Sequence, residues 1–234
     1  VVILLVLGWG ARLYVDWLWF RSLGYQQVFC TILLTDALLR VASLLLVFFV
    51  LWGNLLLTRP VLVVPVKVIQ EGELLTLEEL FLRRFLQPRL LFWLFTGASL
   101  LLAGLWALAL RGDWAVVQQF LHPVPFEVHD PVFGKDVGFY VFRLPFWQLV
   151  YKLLTGAVLL AGLVVAAVYM AVVPLTGRRP WDIPGVRLHL FSLVAAYFCL
   201  RAWGFWLNRY ELLFSERGAV FGAGYTDVHV NLVA

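Results

Sequence analysis

Long, nearly uninterrupted apolar runs restrict this chain more than any other feature. Val28–Leu57, Leu90–Leu110, Phe146–Pro174 and Leu188–Leu207 each approach or exceed twenty residues. A helix needs about 20 apolar residues to cross a hydrocarbon core. Backbone groups in lipid must be satisfied within the segment, so runs of this length are expected to be helices. Alternating β-barrel patterning is absent from the sequence. A fifth run, Val1–Ala11, is short and reads as the tail of a truncated span. The chain opens on Val1 inside that run and ends soon after its last span, which reads as a processed product or a fragment. The run has no basic n-region and no clear cleavage site, so a signal peptide is not supported.

Composition agrees. Hydrophobic residues make up 63% of the 234 and charged residues 14%. A water-facing globule needs a polar shell that this composition does not supply. The expected fold class is all-α, a polytopic transmembrane bundle over residues 1–207 with about five spans. Residues 208–234 are expected to be an extracytoplasmic segment leading to a further C-terminal part. The bilayer is then the first partner, with other membrane proteins or a second copy as further ones. The net charge of +4 does not indicate nucleic acid, because the basic residues sit between the apolar runs.

The connections carry their own signals. Arg12–Gln27 is aromatic and too polar to be buried. In Thr58–Arg89, Thr76 and Glu79 fit a capping box. Leu77, Leu80, Phe81 and Leu86 behind it share a face, which predicts a short helix along the membrane surface. Pro88 predicts a break before the third span. Arg111–Pro145 is turn-rich, with Pro123, Pro125, Pro131, Gly134 and Gly138.

Basic residues set the expected orientation. The second and fourth connections hold eight Lys or Arg in 45 positions, and the first, third and last polar segments hold seven in 78. The denser loops are expected in the cytoplasm of a cell with this protein in its cell membrane. The N-terminus would then be cytoplasmic and the C-terminal end of the chain extracytoplasmic. Trp17, Trp19, Trp114, Tyr140, Trp147, Trp203 and Trp206 would gather at the outer interface.

Few residues could carry chemistry. Charges at membrane depth are costly and are functional suspects. Asp36 and Arg40 are four apart on one helix face, and Arg201 interrupts the last run. At about 1.5 Å per residue, Asp36 and Arg201 fall within a turn of equal depth. An interhelical pair of Asp36 with Arg201, shared by Arg40, is the expectation. Its bland reading is an ion pair that fixes helix register, and its sharp one a proton or ion pathway. His122, His129, Asp130 and Asp136 share one outer loop, but their spacing is no recognised ligand pattern. Asp130-Pro131 and Gly134-Lys135-Asp136 read as turns. No metal site and no cofactor are expected. His189 reads as interfacial, and His229 with Asp227 as exposed loop groups. Cys30 and Cys199 read as buried structural thiols. Ala103 with Ala107, Ala157 with Ala161 and Gly162 with Ala166 have the four-residue spacing of close helix packing. No nucleotide, hydrolase or metalloprotease motif is present.

Two long stretches go beyond composition. DPVFGKDVGFYVFRLPFW (130–147) and RAWGFWLNRYELLFSERGAVFGAGYTDVH (201–229) closely resemble signature stretches of the UPF0182 family of prokaryotic membrane proteins, and DWLWFRSLGYQQVF (16–29) is similar to its first outer loop. The resemblance implies about seven spans followed by a large extracytoplasmic domain, of which this chain would be the N-terminal piece. It implies no catalytic or binding residues. The leading functional expectation is a non-catalytic membrane scaffold or anchor for such a domain. The alternatives are a transporter or channel component, drawing on Asp36, Arg40, Asn54, Lys152 and Arg201, and a membrane enzyme acting on lipid or envelope precursors through the loop Glu127–Asp136.

Overall fold

The computed structural model describes residues 2–63, 87–110, 112–176, 179–183, 185–214, 222–225 and 229. Over these the chain is an all-α bundle. Helix α1 is Val2–Ser22, α2 is Gln26–Val63, α3 is Pro88–Ala109, α4 is Trp114–Leu121, α5 is Leu144–Thr176 and α6 is Val186–Glu211. A π-helical turn, Phe139–Arg143, leads directly into α5. Short 3₁₀ turns stand at Pro180–Asp182 and Leu212–Phe214.

Four of the expected crossings fall on helices long and apolar enough to cross a membrane: α2, α3, α5 with its π turn, and α6. The fifth run does not stop at Ala11. It continues as α1 through Arg12 and Asp16 to Ser22. No proline or turn signal interrupts that stretch, and the helix ends only where Gly24 takes φ +77°. The aromatic "loop" of the sequence is therefore the second half of a helix. The surface helix expected around Leu77–Leu86 lies outside the described residues.

The core is built on rows spaced by four. In α3 the buried positions are Leu91, Phe95, Ser99, Ala103 and Ala107. In α2 they run Ser43, Val47, Leu51, Leu55, Thr58 and Leu62, and in α5 Ala157, Ala161, Val165 and Tyr169. Such rows are the ridges that interlock between packed helices. Val47, Leu51, Ala103, Ala157 and Ala161 form one cluster, so α2, α3 and α5 meet there. Between lipid-immersed helices there is no hydrophobic gain from association, so close packing by small residues has to supply it. Ala103, Ala157 and Ala161 have no exposed surface at all. Ser99 is equally buried and its Oγ has no partner among the described residues, so it serves as a small residue.

Gly156 makes the closest approach: a Cβ there would stand 2.2 Å from the Trp106 ring. Gly162 faces open space. The spacing of Gly162 with Ala166 is thus not an interhelical contact, unlike the two alanine pairs. Helix α6 lies at the edge, packed on α5, with only 11% of its most apolar stretch buried inside the protein. Cys30 and Cys199 are both exposed, against the expectation of buried thiols. An apolar neighbourhood in sequence marks contact with lipid as readily as a protein core.

Alanine substitution separates the two glycines. Gly156→Ala must displace Trp106, and overpacking of this kind costs about 1–3 kcal/mol. Gly162→Ala removes only backbone freedom, which favours a helix by up to about 1 kcal/mol. Thermal unfolding of the full-length protein in one detergent is expected to show a lowered midpoint for the first and an equal or raised midpoint for the second.

Candidate functional site

The polar side chains of the bundle gather at its two ends. One end carries α4 and the loop 122–143; the other carries the turn between α5 and α6.

At the α4 end, Asp36 and Arg40 lie one turn apart on α2 and form an ion pair, Nε to Oδ2, at 2.7 Å. The same guanidinium donates to the carbonyl of Ala107 at 3.2 Å. Ala107 belongs to the last turn of α3, where carbonyls lack helical partners and carry partial negative charge. Arg40 is therefore a cap on α3. This sets its height. Helix α3 has 22 residues, about 33 Å, close to the core of a bilayer. Helix α2 has 38, about 57 Å, and must project beyond it. Asp36 and Arg40 stand at the end of α3. Thr35 beside them is buried and accepts a hydrogen bond from Gln118 of α4.

Arg201 does not join this pair. Its guanidinium donates to the Tyr151 hydroxyl at 2.9 Å and lies over the Phe205 ring, 5.2 Å from the centroid. Helix α5 packs against both α2 and α6, so its Tyr151 is what α6 presents Arg201 to. Gly204, one turn on, admits the same tyrosine, since a Cβ would stand 2.4 Å from it.

The loop 122–143 is held by its two aspartates. Asp130 accepts from the N–H groups of Val132, Phe133 and Lys135 and from the Tyr140 hydroxyl. Asp136 accepts from the N–H groups of Phe126 and Gly138. An antiparallel bridge joins His129 to Asp136, and Gly134 turns the chain between them with φ +63°. Desolvation pulls the Asp130 carboxyl upward, but its three backbone donors and Tyr140 outweigh this and hold it below the ordinary value of 3.8. Desolvation likewise opposes, and backbone donors outweigh, at Asp136, with His129 helping to lower it. His122 ends α4 and its Nδ1 meets the Gln118 carbonyl at 3.1 Å. Among the described residues no group of three His, Cys, Asp or Glu is placed to share a metal ion. His229 stacks on Tyr225, while Asp227 lies outside the described residues.

An aromatic cluster ties this loop to α6. Tyr140, Leu144, Leu207 and Tyr210 are buried together, with Phe133, Phe139 and Trp203 against them. Arg209 lies 4.6 Å from the Trp206 centroid and 5.6 Å from that of Phe133.

At the opposite end stands a chain that the apolar patterning did not reveal. His189 Nε2 meets Asn54 Oδ1 at 3.0 Å, and the Tyr169 hydroxyl meets His189 Nδ1 at 2.8 Å. Asn54 Nδ2 donates to the Val50 carbonyl at 2.7 Å. Oδ1 of Asn54 can only accept, so Nε2 carries the proton and Nδ1 accepts from tyrosine. The result is one directed chain across α5, α6 and α2, complete with a neutral imidazole. One signal in the sequence pointed to it: Tyr169 continues the row Ala157, Ala161, Val165 onto the buried face.

The model of the "Uncharacterised protein family (UPF0182)" matches residues 1–234. The chain belongs to the UPF0182 family. A UPF0182 protein of Pelotomaculum thermopropionicum is 43% identical over 96% of this chain and 25% of its own length. One of Moorella thermoacetica is 39% identical over 95% of the chain and 24% of its own length. One of Mycobacterium marinum is 40% identical over the whole chain and 23% of its own length. The chain thus spans about a quarter of the length of these UPF0182 relatives. No solved structure matches it.

The lowered carboxyl of Asp130 fixes the sign of a pH effect. Its contribution to stability is complete above 3.8 and is lost as pH falls through the lower folded-state value. Asp130→Asn is expected to lower the unfolding midpoint of this UPF0182 protein at pH 7. The gap between variant and wild type should narrow as pH is taken below 3.8. A gap that stays constant on acidification would show that the carboxylate is not what holds the loop.

Proposed function

We propose that this chain is the membrane-embedded part of a scaffold, with the α4 end outside the cell and the α5–α6 turn in the cytoplasm. One observation carries the reading: Arg40, Asn54, His189 and Arg201 on the long helices are each spent on a neighbouring helix, and Asp36 on Arg40. Asp36 and Arg40 cap α3. Trp52 donates to Thr96 at 3.1 Å, joining α2 to α3. Asn54, His189 and Tyr169 close on each other, and Arg201 closes on Tyr151. Interhelical hydrogen bonds of this kind contribute about 0.6 kcal/mol each on average, and they also set register. A carrier or channel would leave such groups facing a shared passage. Of the candidates for one, Lys152 alone points outward, exposed on α5.

The orientation is supported by the basic residues, and the aromatic rings mark the α4 end as an interface. Trp147, Trp203 and Trp206 all stand at the α4 end, as interfacial rings do. The rigid loop built on Asp130 and Asp136 would give a C-terminal extracytoplasmic part a fixed surface to rest on. Such a scaffold serves by holding position, which suits a bundle whose bonds are structural.

Two measurements test this. Full-length protein in proteoliposomes is expected to carry protons and potassium no faster than protein-free vesicles. A flux that falls with Asn54→Ala would overturn the scaffold reading. For sidedness, His122→Cys and Asp182→Cys are introduced singly with Cys30 and Cys199 changed to Ser. An impermeant thiol reagent is expected to label the first in intact cells and the second only after permeabilisation. The reverse pattern would invert the orientation.

A further inference from the structure

The loop at the α4 end borders an open cleft of about 580 Å³. Its walls are the segment Pro123–His129, the segment Lys135–Phe139, and Arg143 at the start of α5. The two segments are pinned together. Val137 N–H donates to the Val128 carbonyl at 2.9 Å, and Asp136 accepts from Phe126 and Gly138 on opposite sides. A Cβ on Gly138 would stand 2.7 Å from the Val124 carbonyl oxygen, so only glycine allows the segments this close. Pro123 and Pro125 stiffen one wall. The cleft is preorganised by groups other than those that could meet a ligand.

The charges lining it divide into spent and unspent. Asp136 is spent on backbone N–H groups. Arg143 makes no hydrogen bond and no ion pair among the described residues. Lys135 rests on the Phe139 ring, 5.9 Å from its centroid, and enters no ion pair among them either. His129 lies on the wall between. Glu127 is the remaining carboxylate, held at φ +57° on the same wall. Lys135 and Arg143 share this lining with Glu127 and with Asp136, whose carboxylate is already occupied by backbone N–H groups, and a guanidinium with an ammonium on one cleft suits a phosphate in particular.

Position narrows the source. Phe139 and Arg143 begin the apolar stretch that runs to Ala171. Phe126 stacks on Phe142, and Phe120 on Phe146, around the mouth of the loop. Trp147 follows one turn along and is exposed. Aromatic rings of this kind lie at headgroup level. We infer that Lys135 and Arg143 hold the phosphate ester of a lipid headgroup in this cleft, at the surface of the bilayer the helices cross. The inference goes beyond the scaffold reading and survives its failure, because it concerns occupancy and not transport or anchoring.

The test uses purified full-length protein in a non-ionic detergent. The probes are dihexanoyl phosphatidylglycerol below its micelle concentration, a short-chain diacylglycerol and inorganic phosphate, each titrated by calorimetry. The phospholipid is expected to bind saturably, and Arg143→Gln and Lys135→Gln are each expected to weaken it about tenfold or more. Arg143→Lys should restore part of the loss. Inorganic phosphate should compete, but more weakly than the lipid. Equal affinity for inorganic phosphate would move the source from lipid to free anion and overturn the headgroup assignment. Unchanged affinity in both glutamine variants, or diacylglycerol binding as tightly as the phospholipid, would overturn the site itself. Should Arg143→Gln fail to fold, Lys135→Gln and the phosphate competition decide the matter alone.

Discussion

The packing of α5 on α2, with the Trp106 ring of α3 laid against Gly156, is the contact on which the rest of the bundle depends. It is made where Ala103, Ala157 and Ala161 lose all their surface against Val47 and Leu51, and where Gly156 receives the Trp106 ring. Lipid chains are as apolar as leucine, so burial as such gives helices little reason to associate. Small side chains give one, because they bring backbones and neighbouring rings within dispersion range. Once α5 is seated, its two flanks are defined. Val165 and Tyr169 continue the row and meet Val186 of α6. Tyr151, nearer its start, receives Arg201 and Gly204 of α6. Helix α6 thus owes its place to α5.

The polar groups then follow a rule set by helix length. Helix α2 is about 24 Å longer than α3 at 1.5 Å per residue, so the two cannot both match one hydrocarbon thickness. The excess shows at the α4 end. There α2 projects past the last turn of α3, and there Asp36, Arg40 and Thr35 are found. A charged pair in that place closes the exposed end of α3 and satisfies carbonyls that would otherwise face the membrane boundary unpaired. The expected pairing of Asp36 with Arg201 rested on equal depth along α2 and α6; Arg40 meets the Ala107 carbonyl and Arg201 meets Tyr151 instead.

How much of this could be read beforehand follows the range of each interaction. Local signals were legible. Apolar run length marked the four long helices, the i, i+4 spacing of Asp36 and Arg40 marked their pair, and Asp130-Pro131 with Gly134 marked the turn. Pro88 marked the start of α3, where it is the first helical residue. Signals that depend on which face meets which neighbour were not legible. Ala157 with Ala161 and Gly162 with Ala166 look alike in sequence, yet one pair is buried and the other is not, because α5 has one packed side. Arg201 could be placed at a height but not given a partner, since depth says nothing of azimuth. Asn54 and His189 could each be singled out, but they are 135 residues apart and nothing in the sequence pairs them.

That last pairing sets the register of three helices. The chain from Tyr169 through His189 to Asn54 uses every donor once and ends on the Val50 carbonyl of α2. Reversing the Tyr169–His189 bond would leave the Nε2 lone pair of a neutral imidazole facing Asn54 Oδ1, acceptor against acceptor. It therefore has one low-energy arrangement, and in that arrangement α2, α5 and α6 have a fixed register at the end away from α4. The aromatic cluster of Tyr140, Leu144, Leu207 and Tyr210 joins α5 and α6, without α2, at the other end. Helices α5 and α6 are thus joined towards both of their ends. The joint at the α4 end extends through Tyr140 to Asp130. Above that end lies the loop with its cleft, where Lys135 and Arg143 stand in one lining with Glu127 and Asp136.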